Sequence, residues 1–185
     1  MSTLDLEKMA AQIQRLTDIE EIKRLKNAYF RCLDTANIDE LREMLTEDYA
    51  CQCIGGDYDY VAGGRDEFLA MVGDSFNTKM VTQHNGHGPE IDILSDREAK
   101  GLWYFHDQVY NFVTKEFLSG TGLYYDRYVK TEGHWKIQYA EYERVYEATE
   151  ILDRPPHLTA HYLGKHGKQL PDHARYVPAS GTWEY

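Results

Sequence analysis

The stretch Gly101-Leu102-Trp103-Tyr104-Phe105-His106-Asp107-Gln108-Val109 is the part of the sequence that decides the fold. It is rich in aromatic residues, which is typical of a β-strand. Successive side chains of a strand point to opposite faces, so the odd-numbered positions share one side: Trp103, Phe105, Asp107 and Val109. We therefore predict a strand over about residues 98–113, with one apolar face that carries the carboxylate of Asp107.

Further strands are predicted on both sides of this one, at about residues 80–94, 121–131 and 134–147. Their ends are marked by the turn pairs Ser95-Asp96, Ser119-Gly120 and Glu132-Gly133. Nearer the N-terminus, residues 48–54 alternate in polarity, Gly55-Gly56 turns the chain, and residues 57–61 return as a hairpin.

Helical periodicity precedes the strands. Apolar residues recur every three or four positions from Leu4 to Leu33. Thr17 and Glu20 resemble a capping box, which predicts a short helix near 4–15 and a longer one near 18–34. Asn37 is expected to cap a helix that ends at Leu45, and residues 65–73 form another. Helices, a hairpin, a helix and an antiparallel meander together predict an α+β fold, in which a curved sheet wrapped by helices leaves a cone-shaped cavity.

Composition limits the kinds of partner. The chain has 185 residues, enough for one domain, and a net charge of −11, which argues against nucleic-acid or anionic-membrane binding. No apolar run approaches the ~20 residues of a membrane span, and the N-terminus lacks signal-peptide features, so we expect a cytoplasmic protein. We predict a domain over 1–150 and an irregular C-terminal arm over 151–185, lying over the cavity or a neighbouring subunit.

Metal and disulfide sites are not expected. Three cysteines do not make a disulfide framework, and Cys51 and Cys53 alternate along one strand. His84 and His87 lie three residues apart on a strand, so they face opposite sides unless Gly86 hosts a bulge. We therefore predict neither a metal nor another cofactor.

Five polar residues stand near positions where the pattern calls for apolar ones, and we take them as candidate catalytic residues: Tyr29, Asp34, His84, Asp107 and Arg144. Burying such groups costs several kcal/mol unless each finds a partner, so repeated burial points to chemistry. Tyr29 falls one heptad after Ile22 on the buried stripe. Asp34 lies about 140° around the helix from Tyr29, and reaches the same cavity only if the helix ends there.

The chemistry of these residues suggests acid–base catalysis. An imidazole titrates near physiological pH, so His84 is the better general base. A carboxylate at Asp107 needs a cationic partner, unless a bulge turns it outward. Two interpretations of Arg144 stay open. It forms a surface ion pair with a neighbouring Glu, or it is buried and binds Asp107, Asp34 or an anionic part of the substrate.

In sequence these segments resemble the SnoaL-like family of the NTF2-like superfamily, and within it the bile-acid 7α-dehydratases. The resemblance covers about residues 5–150, in the same order and spacing, through DIEEIK (18–23), YFRCLD (29–34), HNGHGPEI (84–91), GLWYFHD (101–107), YYDRY (124–128) and RVYE (144–147). It places the functional positions on the same five residues. Related enzymes use a helix-end Asp with a strand His, which favours an Asp34–His84 pair.

The resemblance implies a cofactor-independent dehydratase, a lyase that removes water from a hydrophobic hydroxy-ketone, steroid-like or polycyclic, and works as a homotrimer. In this hypothesis the imidazole takes a carbon-bound proton, Asp34 holds the imidazole, and Tyr29 donates to the departing hydroxyl or to the developing oxyanion. Three alternatives stay open: a ketosteroid-type isomerase, a noncatalytic partner like the β subunits of ring-hydroxylating dioxygenases, and a small-ligand-binding protein.

Overall fold

The computed structural model describes residues 3–168. In this part of the chain the helices and strands follow one another as α1 (Thr3–Asp34), α2 (Ile38–Met44), β1 (Leu45–Ile54), β2 (Asp59–Ala62), α3 (Arg65–Ser75), β3 (Met80–Ile93), β4 (Glu98–Asn111), β5 (Glu116–Thr131), β6 (His134–Ile151) and α4 (Tyr162–His166). No helix of residues 3–168 combines the length and the apolar character needed to cross a membrane.

The strands form one curved, mixed sheet in the order β2-β1-β6-β5-β4-β3. Strands β3 to β6 are an antiparallel meander, β1 runs parallel to β6, and β2 returns along β1 as a hairpin. Helix α1 packs on β3 and β6, and α3 packs on β1 and β2. The predicted α+β architecture, a curved sheet wrapped by helices, is confirmed.

Helix α1 is continuous, so the predicted break between residues 15 and 18 is wrong. A capping box forms only at the start of a helix, where the backbone of the Ser or Thr is not helical. Here, other contacts keep the chain helical through residues 15–18. The amide of Gln14 donates to Asp18 across the predicted gap, at 3.2 Å. The indole of Trp135 also donates to Asp18, at 3.0 Å, and Lys130 pairs with it. Asp18 thus fixes the middle of α1 to the sheet.

The turn predicted at Ser119-Gly120 is also wrong, because β5 begins at Glu116 and runs straight through this pair. The chain turns earlier, where the side-chain oxygen of Asn111 accepts the N–H groups of Val113 and Thr114. The turn predicted at Glu132-Gly133 is present, and both residues have positive φ, 53° and 81°.

Helix α1 comes close to the sheet at Gly86 of β3. A Cβ at this position would lie 2.3 Å from the ring of Phe30, so only glycine lets the helix pack here. The approach places Asp34, the last residue of α1, beside His84.

The described part of the C-terminal arm packs at the α3–β3 connection. His161 hydrogen-bonds through Nε2 to the carbonyl of Met80, at 2.9 Å, and Leu163 of α4 is buried. Residues 152–161 are irregular, as expected, whereas 162–166 form a short helix. The rest of the predicted arm, 169–185, lies outside the described residues. The division into 1–150 and 151–185 stays a prediction.

Candidate active site

A cavity of about 210 Å³ lies between the sheet and helices α1 and α3. Its walls are mostly aromatic and include five tyrosines: Tyr29, Tyr58, Tyr60, Tyr124 and Tyr142. Within the described residues, His84 is the one imidazole of the lining. Such a cavity suits a hydrophobic ligand that carries a few polar groups.

Asp34 and His84 form a hydrogen-bonded pair at the edge of this cavity. The Nδ1 atom of His84 lies 2.7 Å from Oδ1 of Asp34. The same carboxylate accepts the hydroxyl of Thr82 and the backbone N–H of His84, both at 2.9 Å. Because the carboxylate accepts from every one of these groups, it holds the tautomer in which Nδ1 carries the hydrogen.

The second nitrogen of His84, Nε2, is available to accept a proton, since no group among residues 3–168 hydrogen-bonds to it. Phe30 stacks on the imidazole with 6.4 Å between ring centroids, and the ring of Phe76 packs beside it with 6.0 Å between centroids. These rings hold the imidazole in place. A base with one fixed nitrogen and one open nitrogen can take a proton from a ligand in the cavity.

Asp34 itself faces a second, outer groove of about 340 Å³ rather than the inner cavity. His84 lines both spaces, so the imidazole stands between them. The position of Asp34 off the buried stripe agrees with the helical geometry. Although α1 ends at Asp34, this residue does not line the same cavity as Tyr29, and it reaches the site only through its hydrogen bond to His84.

Tyr29 lines the inner cavity but does not join the Asp34–His84 pair. Its ring stacks on Phe68, with 6.3 Å between centroids and 6° between planes. Burial raises the pKa of the Tyr29 hydroxyl well above its usual value, and the nearby Cys53 and Cys51 add to this. The hydroxyl therefore stays protonated, and it can donate a hydrogen bond but not act as a base.

Asp107 and Arg144 form a buried, two-pronged ion pair. The Nη1 and Nη2 atoms of Arg144 donate to the two oxygens of Asp107, at 2.5 and 2.8 Å. Burial alone would lower the pKa of the Arg144 guanidinium, but the hydrogen bonds and charge of Asp107 raise it overall. The structure has both pairs that the sequence left open for Arg144: the buried pair with Asp107, and a pair with the neighbouring Glu147, whose Oε2 lies 2.9 Å from Nε of Arg144. The pair with Glu147 is largely buried rather than on the surface. No described contact joins Arg144 to Asp34.

The pair depends on Gly120, which lies between its partners. Gly120 of β5 is the register partner of Asp107 on β4, and Arg144 reaches over it from β6. A Cβ at this position would lie 3.0 Å from Nη1 of Arg144 and 2.9 Å from the carbonyl of Tyr146. Gly120, which in the sequence indicated a turn, is therefore needed so that the guanidinium of Arg144 can pass over β5 to Asp107.

The sequence analysis missed two further buried charged residues, Lys26 and Asp126. Lys26 is completely buried, and its Nζ lies 2.8 Å from Oδ2 of Asp126. The signals were present, because Lys26 falls on the buried stripe of α1 between Ile22 and Tyr29. Asp126 alternates with two inward tyrosines, as Asp107 does with Trp103 and Phe105.

Tyr58 and Tyr142 were also missed. Their hydroxyl oxygens lie 2.7 Å apart on the cavity wall, and Nη2 of Arg144 donates to Tyr58 at 3.3 Å. Sequence gives little sign of this pair, because Tyr58 precedes β2 in a turn and the chain contains 15 tyrosines.

His87 lies on the opposite face of the sheet from His84, against Tyr104, with ring centroids 5.0 Å apart. In residues 3–168, no three His, Cys, Asp or Glu side chains are grouped so that they could hold a metal ion.

Comparison with known proteins gives a consistent fold. A family model described as a SnoaL-like domain matches residues 14–141. A scytalone dehydratase-like protein from Novosphingobium aromaticivorans is 23% identical over 74% of this chain and 90% of its own, with a TM-score of 0.66. Hexachlorocyclohexane dehydrochlorinase LinA-type3 from Novosphingobium barchaimii is 16% identical over 78% and 99%, with a TM-score of 0.67.

A third solved structure, an NTF2-like protein with a cystatin-like fold from Novosphingobium aromaticivorans, is 19% identical over 78% of this chain and 92% of its own, with a TM-score of 0.61. At these identities the similarity concerns the fold, and the chemistry has to be argued from the site.

Proposed function

Because the chain belongs to the SnoaL-like family, we propose that it is a cofactor-independent dehydratase, a carbon–oxygen lyase that removes water from a hydroxy-ketone. The observation that carries the proposal is the Asp34–His84 pair, with Nδ1 held at 2.7 Å and Nε2 open beside an aromatic cavity. The dehydratase and dehydrochlorinase named among the structural neighbours are consistent with elimination chemistry.

In the proposed reaction, Nε2 of His84 takes a proton from a carbon that a ketone has acidified through conjugation. Asp34 stabilises the imidazolium that forms, and the electrons of the broken C–H bond pass to the carbonyl oxygen. The oxyanion then collapses and expels the hydroxyl group, which takes the proton from Nε2 of the imidazolium and leaves as water, so that His84 is again the neutral base. Tyr29, which stays protonated, supplies a hydrogen bond on the cavity wall. General acid–base catalysis contributes roughly 10²–10⁴ in rate.

The proposed substrate is hydrophobic and steroid-like, as the resemblance to bile-acid 7α-dehydratases implies. The cavity of about 210 Å³ is smaller than the roughly 300–1,000 Å³ of pockets for drug-sized ligands. We therefore propose that the cavity encloses the reacting ring, and that the rest of a large substrate extends through the opening.

A substrate panel tests this proposal. Monocyclic, bicyclic and steroid β-hydroxy-ketones, each with a matched β,γ-unsaturated ketone that lacks the hydroxyl, are incubated with the protein, and the masses of the products are measured by mass spectrometry. Loss of the mass of one water from at least one hydroxy-ketone is expected. A product of unchanged mass with a shifted double bond would indicate an isomerase instead, and no turnover of any compound would favour a noncatalytic partner.

We also propose that the protein is a homo-oligomer, as the resemblance to homotrimers implies, and that it works in the cytoplasm. The first turns of α1 expose a row of apolar side chains at heptad spacing: Leu6, Met9, Ile13 and Leu16. Residues 3–17 of α1 are all exposed. A helical segment of about 15 residues is marginal in water by itself, so a packing partner would stabilise it.

Light scattering tests the assembly. The wild type is expected to be larger than a monomer, and Ile13→Glu with Leu16→Glu to dissociate it. The neighbouring Gln12→Glu serves as the charge control. A monomeric wild type would contradict the proposal.

A further inference from the structure

The mechanism above leaves unused a pair of phenols on the cavity wall. Tyr58 precedes β2 and Tyr142 lies on β6, and both line the cavity that His84 lines. Their hydroxyl oxygens are 2.7 Å apart, which is the usual length of an O–H···O hydrogen bond. One hydrogen therefore lies between the two oxygens, and the direction of that bond decides what the other hydrogen can do.

The surroundings of Tyr58 favour donation from Tyr58 to Tyr142. Nη2 of Arg144 donates to the Tyr58 oxygen at 3.3 Å. The other acceptor near this hydroxyl, Oε2 of Glu147, is 3.4 Å away and already lies 2.9 Å from Nε of Arg144. The contact with Tyr142 is much shorter. If the hydrogen of Tyr58 points to Tyr142, the hydrogen of Tyr142 points elsewhere, either to the sulfur of the adjacent Cys53 or to a ligand group inside the cavity.

Both phenols are kept as donors. Burial raises the pKa of Tyr58, although the charge of Arg144 partly opposes this. Burial also raises the pKa of Tyr142, and the nearby Cys53 adds to it. Neither phenol gives up its proton near neutral pH, so each can donate one hydrogen bond.

The positive end of this chain of groups is fixed. Arg144 is held by both oxygens of Asp107 and crosses β5 at Gly120. The N–H of Arg144 that donates to the Tyr58 oxygen polarises the Tyr58 O–H bond, because hydrogen bonds in a chain strengthen one another. The ring of Tyr142 packs against Phe105 and Tyr124, with centroids 5.2 and 5.0 Å apart, so its hydroxyl has a fixed place.

We infer that Tyr142 donates a hydrogen bond to the carbonyl oxygen of the substrate, where negative charge develops, and that Tyr58 and Arg144 position and polarise it. This inference rests on the proposed dehydration. It gives the buried Asp107–Arg144 pair an indirect role, as positioning residues that act through Tyr58. It also leaves Tyr29 to the departing hydroxyl group.

A phenolate probe tests the donor without any need for turnover. The probe is 4-nitrophenol, whose anion is an oxyanion on a ring and absorbs visible light. Binding of the anion to wild type, Tyr142→Phe, Tyr58→Phe and Tyr125→Phe is measured by titration. Tyr125 is exposed on the outer face of β5 and is the matched control. Circular dichroism checks that each variant keeps the wild-type fold, as expected because phenylalanine preserves the ring packing.

We expect Tyr142→Phe to bind the anion about 10- to 100-fold more weakly than the wild type, as for the loss of one hydrogen bond to a charged group. Tyr58→Phe should have a smaller effect in the same direction, and Tyr125→Phe none. In both affected variants the bound probe should also hold its proton to a higher pH than in the wild type, a spectroscopic shift that a purely structural role would not produce. Unchanged binding in Tyr142→Phe, or no binding to the wild type, would overturn the inference.

Turnover separates this inference from the proposed function. With any hydroxy-ketone that loses water, Tyr142→Phe should lower kcat by about 10²–10³ with little change in KM. Dehydration with an unaffected kcat in this variant would overturn the donor role and leave the dehydratase intact. If no compound loses water while the phenolate result holds, the proposed function fails and the anion-binding role of Tyr142 stands.

Discussion

Helix α1 contributes one member to each of two acid–base pairs, and these two residues, Lys26 and Asp34, are only eight positions apart. The two pairs differ in whether they can still bind a ligand. Asp34 at the helix end holds His84, and the imidazole keeps one nitrogen open beside the cavity. Lys26 is fully buried, and its ammonium lies against Asp126 and over the ring of Tyr124, 3.8 Å from the centroid. The first pair retains hydrogen-bonding capacity for a ligand.

In the Lys26–Asp126 pair, the hydrogen-bonding groups are occupied by other groups of the protein. Asp126 also accepts the hydroxyl of Tyr128 at 2.6 Å, and the Tyr128 oxygen accepts the indole N–H of Trp103 at 2.9 Å. Burial lowers the pKa of the Lys26 ammonium, although the charge of Asp126 opposes this. Burial of an ionisable pair is therefore a poor marker of catalysis on its own, and the open atom at the cavity is the better one.

The largest effect expected from this comparison is on turnover. His84→Ala and Asp34→Ala should each lower kcat by about 10²–10⁴ and leave the fold intact, because the pair supplies the general base. The matched control is His87→Ala, an exposed histidine on the other face of β3. Kinetics with a hydroxy-ketone substrate and thermal unfolding of each variant are the measurements. Near wild-type rates in either variant would remove the pair from the mechanism.

Breaking the other pair should act on stability. Lys26→Met leaves the Asp126 carboxylate buried without its cation, and should lower the free energy of unfolding by about 3–5 kcal/mol. The double variant Lys26→Met with Asp126→Asn removes both charges and should recover part of the loss. Urea unfolding of the two variants measures the difference. A single variant as stable as the wild type would mean that the pair is not essential to the core.

The smallest effect concerns Asp18, which fixes the middle of α1. Burial alone would raise the pKa of this carboxyl, but hydrogen bonds from Lys130, Trp135 and Gln14 lower it overall from its ordinary value of 3.8. The carboxylate therefore stabilises the fold fully above its ordinary pKa, and this contribution is lost as pH falls through the lower folded-state value.

For Asp18→Asn we expect a loss of about 1.5–3 kcal/mol at neutral pH, as for hydrogen bonds to a charged group. The difference from the wild type should shrink as the pH falls below 3.8. Urea unfolding from pH 7 down to pH 3 measures it. A difference that stays constant over this range would show that the charge of Asp18 does not contribute.

Much of the fold followed from local pattern. Alternation placed Asp107 on the buried face, and helical periodicity placed Tyr29 on the buried stripe. The two errors, at residues 15–18 and 119–120, have one cause. Thr17 and Gly120 carry local signals for a cap and a turn, but contacts with distant residues decided their conformation. For Asp18 these are Lys130 and Trp135, and for Gly120 it is Arg144.

The candidate residues were located by sequence, but their grouping was not. Tyr29, Asp34, His84, Asp107 and Arg144 form two separate hydrogen-bonded pairs and one tyrosine on the cavity wall. Tyr58 could not be placed from sequence, because its position depends on a turn that brings it to the guanidinium of Arg144.

The sequence alone determined most of the order of helices and strands, the inward face of β4 and the family, because periodicity and spacing are local properties of the chain. Tertiary structure alone decided which partner each buried charge has, because ion pairs such as Lys26–Asp126 join residues a hundred positions apart. It also decided that His84, whose Nε2 has no hydrogen-bond partner among residues 3–168, lies on the wall of a cavity of about 210 Å³. Such long-range placement depends on how the sheet curves and how closely α1 approaches it.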